Sequence, residues 1–477
     1  MDGIASKNEI YGVLRQFNPW WQEKDIPGIP KWQRSIFTHL EKWIKNPEVH
    51  RAILLNGPRQ VGKTTLLMQS INSLLKNYVP PSNILYATFD HPLLKNVNLD
   101  ELIEIWLEFE TNKEGTQYLF LDEIQYMKDW QTSLKHQVDF EKQRRIVVTG
   151  SAIPLIIPNQ ESGVGRWHIM NLGTLSFYEY LKIKNIELPR IDPISSLSVL
   201  FEYDQAQLIK IGQDAKSLLP HFNEYLIRGG FPQSVQIDNI SLAQKLLRED
   251  VIDKILKRDM TALFGVRRIL ELEQTFLYLC MHDEGLLDIA QLCKNLQLNK
   301  ATVNHFIELF ESSHLIYRLA PYGYGKEILR GRFKVYLADS GISPSLLLKG
   351  KSLLEDPKKL GYIVESVFLK HLLQVTTNLN LKLSYVGDKE HEEIDVIVES
   401  AGTILPFEVK YRAKANIETN TLKRLKLFCE KKEIKKAYLI TKDLDDFGFY
   451  KQKDTDVSLL RIPALLTCYW LSQVQEI

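Results

Sequence analysis

Between Arg51 and Ser151 four short apolar runs, AILL (52–55), ILYATF (84–89), YLFL (118–121) and IVV (146–148), are separated by amphipathic stretches such as 63–77 and 128–141. Runs this short, bounded by polar segments of helical length, predict buried parallel strands joined by crossover helices. From 175 to 260 the pattern turns helical, and Gly-Gly-Phe-Pro at 229–232 must end one helix. Further on, LLDIAQLCKNL and NKATVNHFIELFESSHL predict two helices with a short turn at Gln297 to Asn299. Two strand-like runs around a Gly-containing basic loop follow, which is the pattern of a winged helix-turn-helix. The remainder reads as a second α/β region. The chain is expected to divide into an N-terminal segment (1–35), an α/β domain (36–175), a helical lid or linker (176–265), a winged helix (266–345) and a C-terminal α/β domain (350–477).

A length of 477 residues suits two to four domains. Apolar residues make up 44% and charged residues 25%, and no stretch approaches the ~18 consecutive apolar residues of a membrane span, so a soluble protein is expected. The start, MDGIASKNEI, lacks the basic and apolar regions of a signal peptide, and the expected location is the cytoplasm. Cys280, Cys293, Cys429 and Cys468 are far apart, which predicts neither disulfides nor a zinc site. Lys plus Arg (60) balances Asp plus Glu (59), so any affinity for a polyanion must come from local patches.

GPRQVGKTT, residues 57–65, fits GxxxxGKT and lies between the strand-like AILLN and the helix-like TTLLMQSINSLL. In that context the loop Gly57, Pro58, Arg59, Gln60, Val61, Gly62, Lys63, Thr64 and Thr65 is expected to wrap the phosphates of ATP. The glycines let backbone amides curl inward, Lys63 offers a point charge to the β and γ oxygens, and Thr64 offers its hydroxyl to Mg²⁺. A chance glycine-rich turn is the bland alternative, and the correct flanks count against it. YLFLDE supplies the second half of the site, with Asp122 in the Mg²⁺ shell and Glu123 placed to polarise the attacking water. Two acids at a helix N-terminus would look the same. RRIVVTGS ends in Thr149 and Ser151, either of which can sense the γ-phosphate, and Arg166 in SGVGRWH is the candidate arginine finger, acting in cis or on a neighbour's site.

IDVIVESAGTILPFEVKYR (394–412) reads as two strands joined by Ser400 to Thr403. A hairpin with that loop pairs Glu399 with Ile404 and sets Asp395 opposite Glu408, with Lys410 on the same face. Facing carboxylates repel unless something positive sits between them. Mg²⁺ is one such guest, in which case Lys410 would orient a nucleophile or neutralise charge. Lys410 merely offsetting the acids on a half-exposed sheet is the other reading. Residues 405–436 carry ten Lys or Arg against four Glu, and Lys326, Arg330, Arg332 and Lys334 stand against Glu327 in the basic loop. With Asn299, Lys300 and Thr302 in the first turn of the second helix, these form an expected DNA track, or else a solvated face and a protein-binding winged helix.

Taken in order, GPRQVGKTTL, FLDEIQ, TGS, LSFYEYL, YLIRGGFP, VYLADSGI, GYIVES, EIDVIV and FEVKYR resemble the prokaryotic AAA-type P-loop ATPases that carry a C-terminal domain of unknown function. The resemblance runs from about residue 32 onward. It implies an α/β multidomain protein: an AAA-like P-loop sheet, a helical linker, a winged helix and a module similar to PD-(D/E)XK nucleases. It also implies that Glu365 in GYIVES is the additional acid such modules present from a helix, although its spacing fits an ordinary solvated glutamate equally well. Arg166 matches the Gly-Arg pair found after the sensor strand in such proteins. Two functions follow as expectations: a DNA-directed Mg-ATPase controlling a metal-dependent nuclease module, or an ATP-dependent switch or scaffold with an inert C-terminal fold, either of them as a monomer or a homo-oligomer.

Overall fold

AILLN, buried at every position, forms β1 (Ala52–Asn56) of a five-stranded sheet in the computed structural model of the chain. The structure describes residues 6–45, 50–110, 114–151, 165–281, 285–323, 332–348, 350–379, 381–387, 393–400, 402–412, 419–450 and 456–474. They separate into two compact units, Met1–Leu172 and Gly173–Ile477.

In the first unit the other predicted apolar runs become β2 (Ile84–Thr88), β3 (Gln117–Asp122) and β4 (Arg144–Gly150), and β5 (Trp167–Asn171) completes the sheet. All neighbours are parallel, in the order β2-β3-β4-β1-β5. β5 escaped the sequence reading because its side chains are mostly half-buried or exposed, which leaves no apolar run to recognise. The helices α1 (Lys7–Phe17), α2 (Phe37–Lys45), α3 (Lys63–Lys76), α4 (Leu99–Phe109) and α5 (Trp130–Phe140) accompany it. Trp106, Leu102 and Leu134 bury against Leu85, Leu119 and Val148.

Residues 6–35 of the expected N-terminal segment fall in this same unit. A capping box between Ser6 and Glu9 starts α1, and Ile10 and Leu14 enter the core. Beyond it, the Asn18 side chain works as a substitute strand on the open edge of β2: its Oδ1 accepts from the Tyr86 amide at 2.7 Å, and its Nδ2 donates to the Tyr86 carbonyl at 2.8 Å. The Trp20 and Trp21 indoles donate to the Ile84 carbonyl at 3.1 and 3.0 Å. An exposed edge that would otherwise pair with another chain is thereby satisfied from within.

The second unit begins with helices. Leu219–Arg228 ends at Gly229 (φ 78°), and the next helix starts at Pro232, as the Gly-Gly-Phe-Pro break requires. The helices Ile289–Leu296 and Lys300–Ser312 meet at Gln297 (φ 54°) and lie between β6 (Gly285–Leu286) and β7 (Ile316–Leu319), which with β8 (Lys334–Leu337) form a small antiparallel sheet in the order β6-β8-β7. A six-stranded mixed sheet follows: β9 (Lys382–Gly387), β10 (Glu393–Ser400), β11 (Thr403–Lys410), β12 (Lys436–Thr441), β13 (Gly448–Tyr450) and β14 (Ser458–Pro463), in the order β13-β14-β12-β11-β10-β9. Phe368, from the helix Pro357–Leu379, meets Phe407, which stacks on Tyr438. Leu422 and Leu425, from the helix Thr419–Lys431, cluster with Ala437 and Leu439. Because Tyr438 alternates with Ala437 and Leu439, the two helices cover opposite faces.

Candidate functional site

The loop after β1 is shaped by close backbone approach. A Cβ at Gly57 would stand 2.1 Å from the Leu172 carbonyl oxygen, so only glycine lets the chain leave β1 here. Gln60 (φ 59°) and Gly62 (φ 95°) adopt left-handed conformations that turn the loop into α3. Lys63 is buried and donates to the carbonyls of Gly57 and Pro58 at 2.8 and 2.7 Å. Arg59 donates to the Tyr126 hydroxyl. From below, the buried Arg34 guanidinium donates to the Val61 carbonyl at 2.8 Å, a support that the sequence reading missed. Pro58 and Gln60 complete the turn, and Thr65 lies in the first turn of the 14-residue α3, at whose amino end amides and dipole favour an anion.

β3 delivers the acids. Asp122 is 3% exposed and accepts from Thr64 Oγ1 at 2.6 Å, from the Tyr86 hydroxyl at 3.0 Å and from the Thr149 hydroxyl. Burial, and then the charge of Glu123, raise its pKa above the carboxylate norm, while the three hydroxyls oppose the rise. Glu123 is left-handed (φ 52°), and its amide donates to Thr149 Oγ1 at 3.1 Å. A non-glycine residue there carries about 1 kcal/mol of backbone strain. Gln125 holds that carboxylate and also donates to Ser151 Oγ at 3.3 Å. Thr149 and Ser151 thus both touch the acidic pair or its support. A hydroxyl and a buried carboxylate form the oxygen donor set that a hard divalent cation takes, and Thr64 with Asp122 would hold Mg²⁺.

Arg166 sits elsewhere. It immediately precedes β5, and its carbonyl accepts from the Ala52 amide at the start of β1. Parallel strands begin at one edge and end at the other, so four residues of β1, roughly 13 Å, separate it from the loop. Its guanidinium pairs with Asp139 at 2.7 Å. A finger role toward its own nucleotide is corrected by this geometry.

The second cluster lies in the other unit. The β10–β11 register runs from Val396–Phe407 through Glu399–Ile404, and Asp395 and Glu408 stand one step further. The Val409 amide donates to Asp395 Oδ2 at 2.8 Å and the Asp395 amide to Glu408 Oε2 at 3.3 Å. A register shift against β9 between Ile394 and Ile397 puts both of these residues in one core cluster, where strict alternation would separate them. The face is buried, not half-exposed: Asp395 is 5% and Glu408 3% exposed. Lys410 meets Glu408 at 2.7 Å and Asp395 at 3.9 Å. Glu365 accepts from the Tyr336 hydroxyl at 2.5 Å, so it is not a solvated helix glutamate.

Lys334 overturns its expected role as a DNA-facing loop residue. Its side chain is 2% exposed, and its ammonium lies 2.6 Å from Glu393, 3.3 Å from Asp395 and 3.4 Å from Glu365. Burial would lower its pKa, but Glu365 and Asp395 outweigh that and hold it well above the lysine norm. For Asp395 the cost of burial is overcome by Lys334 and Lys410, and its pKa falls; burial and the Asp395 charge push Glu408 up to about 8. Among the described residues no group of three or more His, Cys, Asp or Glu is arranged to hold a metal ion. Of the other proposed DNA contacts, Asn299 is occupied as an N-cap, accepting from the Thr302 amide at 2.8 Å; Lys300 and Arg332 are exposed; and Lys326, Glu327 and Arg330 lie outside the described residues.

A third constellation escaped the sequence reading, although it joins YLIRGGFP to VYLADSGI. Asp339 and Lys370, both fully buried, pair at 3.2 Å. Asp339 accepts from the amides of Gly230 and Gly341 at 2.9 Å each, and Lys370 donates to the Tyr225 hydroxyl at 2.6 Å and the Leu175 carbonyl at 3.0 Å.

The five-stranded parallel sheet with a phosphate-type loop after β1 and acids after β3 defines a P-loop nucleotide-binding fold, joined in one α/β multidomain chain to a separate mixed-sheet domain. Residues 49–181 match the model of the AAA domain family. Residues 219–353 and 360–465 match two domains of unknown function, DUF8612 and DUF4143. An uncharacterised protein of Methanocaldococcus jannaschii is 27% identical over 409 residues, 83% of each chain, and one of Haemophilus influenzae is 25% identical over 401 residues, 81% of this chain and 90% of that one. Among solved structures, the Aeropyrum pernix Orc1 protein in complex with DNA aligns over 70% of this chain and 95% of that one at 11% identity and a TM-score of 0.28, too distant to carry an argument. No helix among the described residues is long and apolar enough to cross a membrane.

Proposed function

We propose that the chain binds and hydrolyses Mg-ATP at the 57–65 loop and that this cycle is directed to DNA. The observation that carries the ATPase reading is the joining of Thr64 to Asp122 beside a Glu123 held by Thr149 and Gln125. Lys63 would exchange its loop carbonyls for phosphate oxygens, which are stronger acceptors because they are charged. Glu123, with a carboxylate fixed by its neighbour, would orient the attacking water and take its proton. Mg²⁺ supplies neutralisation of phosphate charge when bound, with Thr64 and Asp122 holding it.

Direction toward DNA rests on surface chemistry. Lys423, Lys431, Lys432, Lys435 and Lys436 are exposed on and after the helix Thr419–Lys431, and Lys300 and Arg332 are exposed beside the small three-stranded sheet, in the manner of a winged helix. ATP turnover measured with and without duplex and single-stranded DNA tests this. Stimulation that fades with salt supports the reading, and turnover indifferent to DNA would leave an ATP-driven switch whose winged helix meets protein.

A further inference from the structure

The sheet that resembles a nuclease centre is closed to the metal that such a centre needs, because its cation is already built in. We infer that the Lys334 ammonium is the resident counter-cation of the Glu365, Asp395 and Glu408 cluster, that the cluster takes no divalent metal, and that it serves as a buried ionic joint between β8 and the six-stranded sheet.

Five of the six carboxylate oxygens of Glu365, Asp395 and Glu408 have partners. Asp395 Oδ1 faces Lys334 at 3.3 Å, and Oδ2 takes the Val409 amide at 2.8 Å. Glu408 Oε1 meets Lys410 at 2.7 Å, and Oε2 takes the Asp395 amide at 3.3 Å. Glu365 Oε1 is shared by Lys334 at 3.4 Å and the Tyr336 hydroxyl at 2.5 Å. A hard cation entering this set would have to shed water, strip amide donors and stand against two ammonium groups.

Nor is Lys334 free to swing away. It is paired across the sheet with Leu286 of β6 and Leu319 of β7, so its backbone is fixed from both sides. Its ammonium lies 5.5 Å from the centre of the Tyr385 ring, and its side chain is 2% exposed. A tethered ammonium has a local concentration that a dissolved ion cannot match. Lys334 reaches Glu365 on the helix Pro357–Leu379, Asp395 on β10 and Glu393 beside it, so a single side chain ties β8 to two elements of the C-terminal fold. Breaking one partner of such a buried cluster leaves uncompensated charge, which is the condition under which a metal would become welcome.

The test compares the full chain with Lys334→Met, Asp395→Asn and the double variant, without nucleotide so that the P-loop does not contribute. Bound Mn²⁺ is measured by the electron paramagnetic resonance of the free ion, and thermal unfolding is followed with and without Mn²⁺. The wild type and Asp395→Asn should show the same weak Mn²⁺ uptake and unmoved melting. Lys334→Met should melt lower, bind Mn²⁺ at least about tenfold more tightly than wild type and recover stability when it is added, and the double variant should lose that recovery. A wild-type Mn²⁺ site that Asp395→Asn abolishes overturns the inference, and so does a folded Lys334→Met that takes up no metal. Should Lys334→Met fail to fold, the comparison of wild type with Asp395→Asn decides alone.

Discussion

The Thr64 hydroxyl donates to the Asp122 carboxylate across 2.6 Å, joining the start of α3 to the end of β3 although β4 lies between β3 and β1 in the sheet. Thr64→Ala and Asp122→Asn should each lower Mg²⁺-dependent ATP turnover by roughly two orders of magnitude. Titrating Mg²⁺ at fixed ATP checks this, and a variant with the wild-type Mg²⁺ dependence would remove that residue from the site.

Glu123 is held in a left-handed conformation with its carboxylate against Gln125. Glu123→Gln should keep nucleotide affinity and lose hydrolysis by about a hundredfold or more, the usual share of a general base. Single-turnover assays on the bound complex separate the two steps.

Arg166 pairs with Asp139 at the far edge of the sheet from the loop. In dilute protein Arg166→Ala should leave turnover per chain within about twofold and barely change stability, since both partners are nearly one-third exposed and the pair is screened by solvent. A large loss that depends on protein concentration would instead place it on a neighbour's nucleotide.

His371 is buried, accepts from the Phe177 amide at 2.9 Å and donates from Nδ1 to the Val367 carbonyl at 2.7 Å, so it is neutral. Burial, and then Lys370, push its pKa down to about 3. The unfolded chain, with an ordinary imidazole, binds the proton more readily, so this stabilisation is complete above about pH 6.5 and lost as pH falls toward 3. By pH 5 about 2 kcal/mol of it has been lost. His371→Gln should flatten the slope of unfolding free energy between pH 7 and 5, measured by denaturant titration.

The strands of the first sheet were legible because each buried parallel strand is a continuous apolar run, and the loop because its chemistry needs contiguous residues. β5 and the Asn18 edge were not, since an exposed strand and a side chain that imitates backbone leave no periodic mark. The hairpin register followed from a four-residue loop, and Asp395 with Glu408 came together as counted. Lys334 could not be found that way: it is 61 residues from Asp395, and in sequence it stands in a basic loop. Only the sheet order turns that residue inward. Asp339 and Lys370 were hidden for the same reason, since each looks like an ordinary charged residue until the fold brings them to 3.2 Å.

Phosphate release by the purified full chain with Mg-ATP, set beside Lys63→Ala, tests the central claim most directly. Steady release by the wild type, falling at least about a hundredfold in the variant together with nucleotide binding, is the predicted result. Release that persists in Lys63→Ala, or a wild type that binds no ATP, would contradict the account.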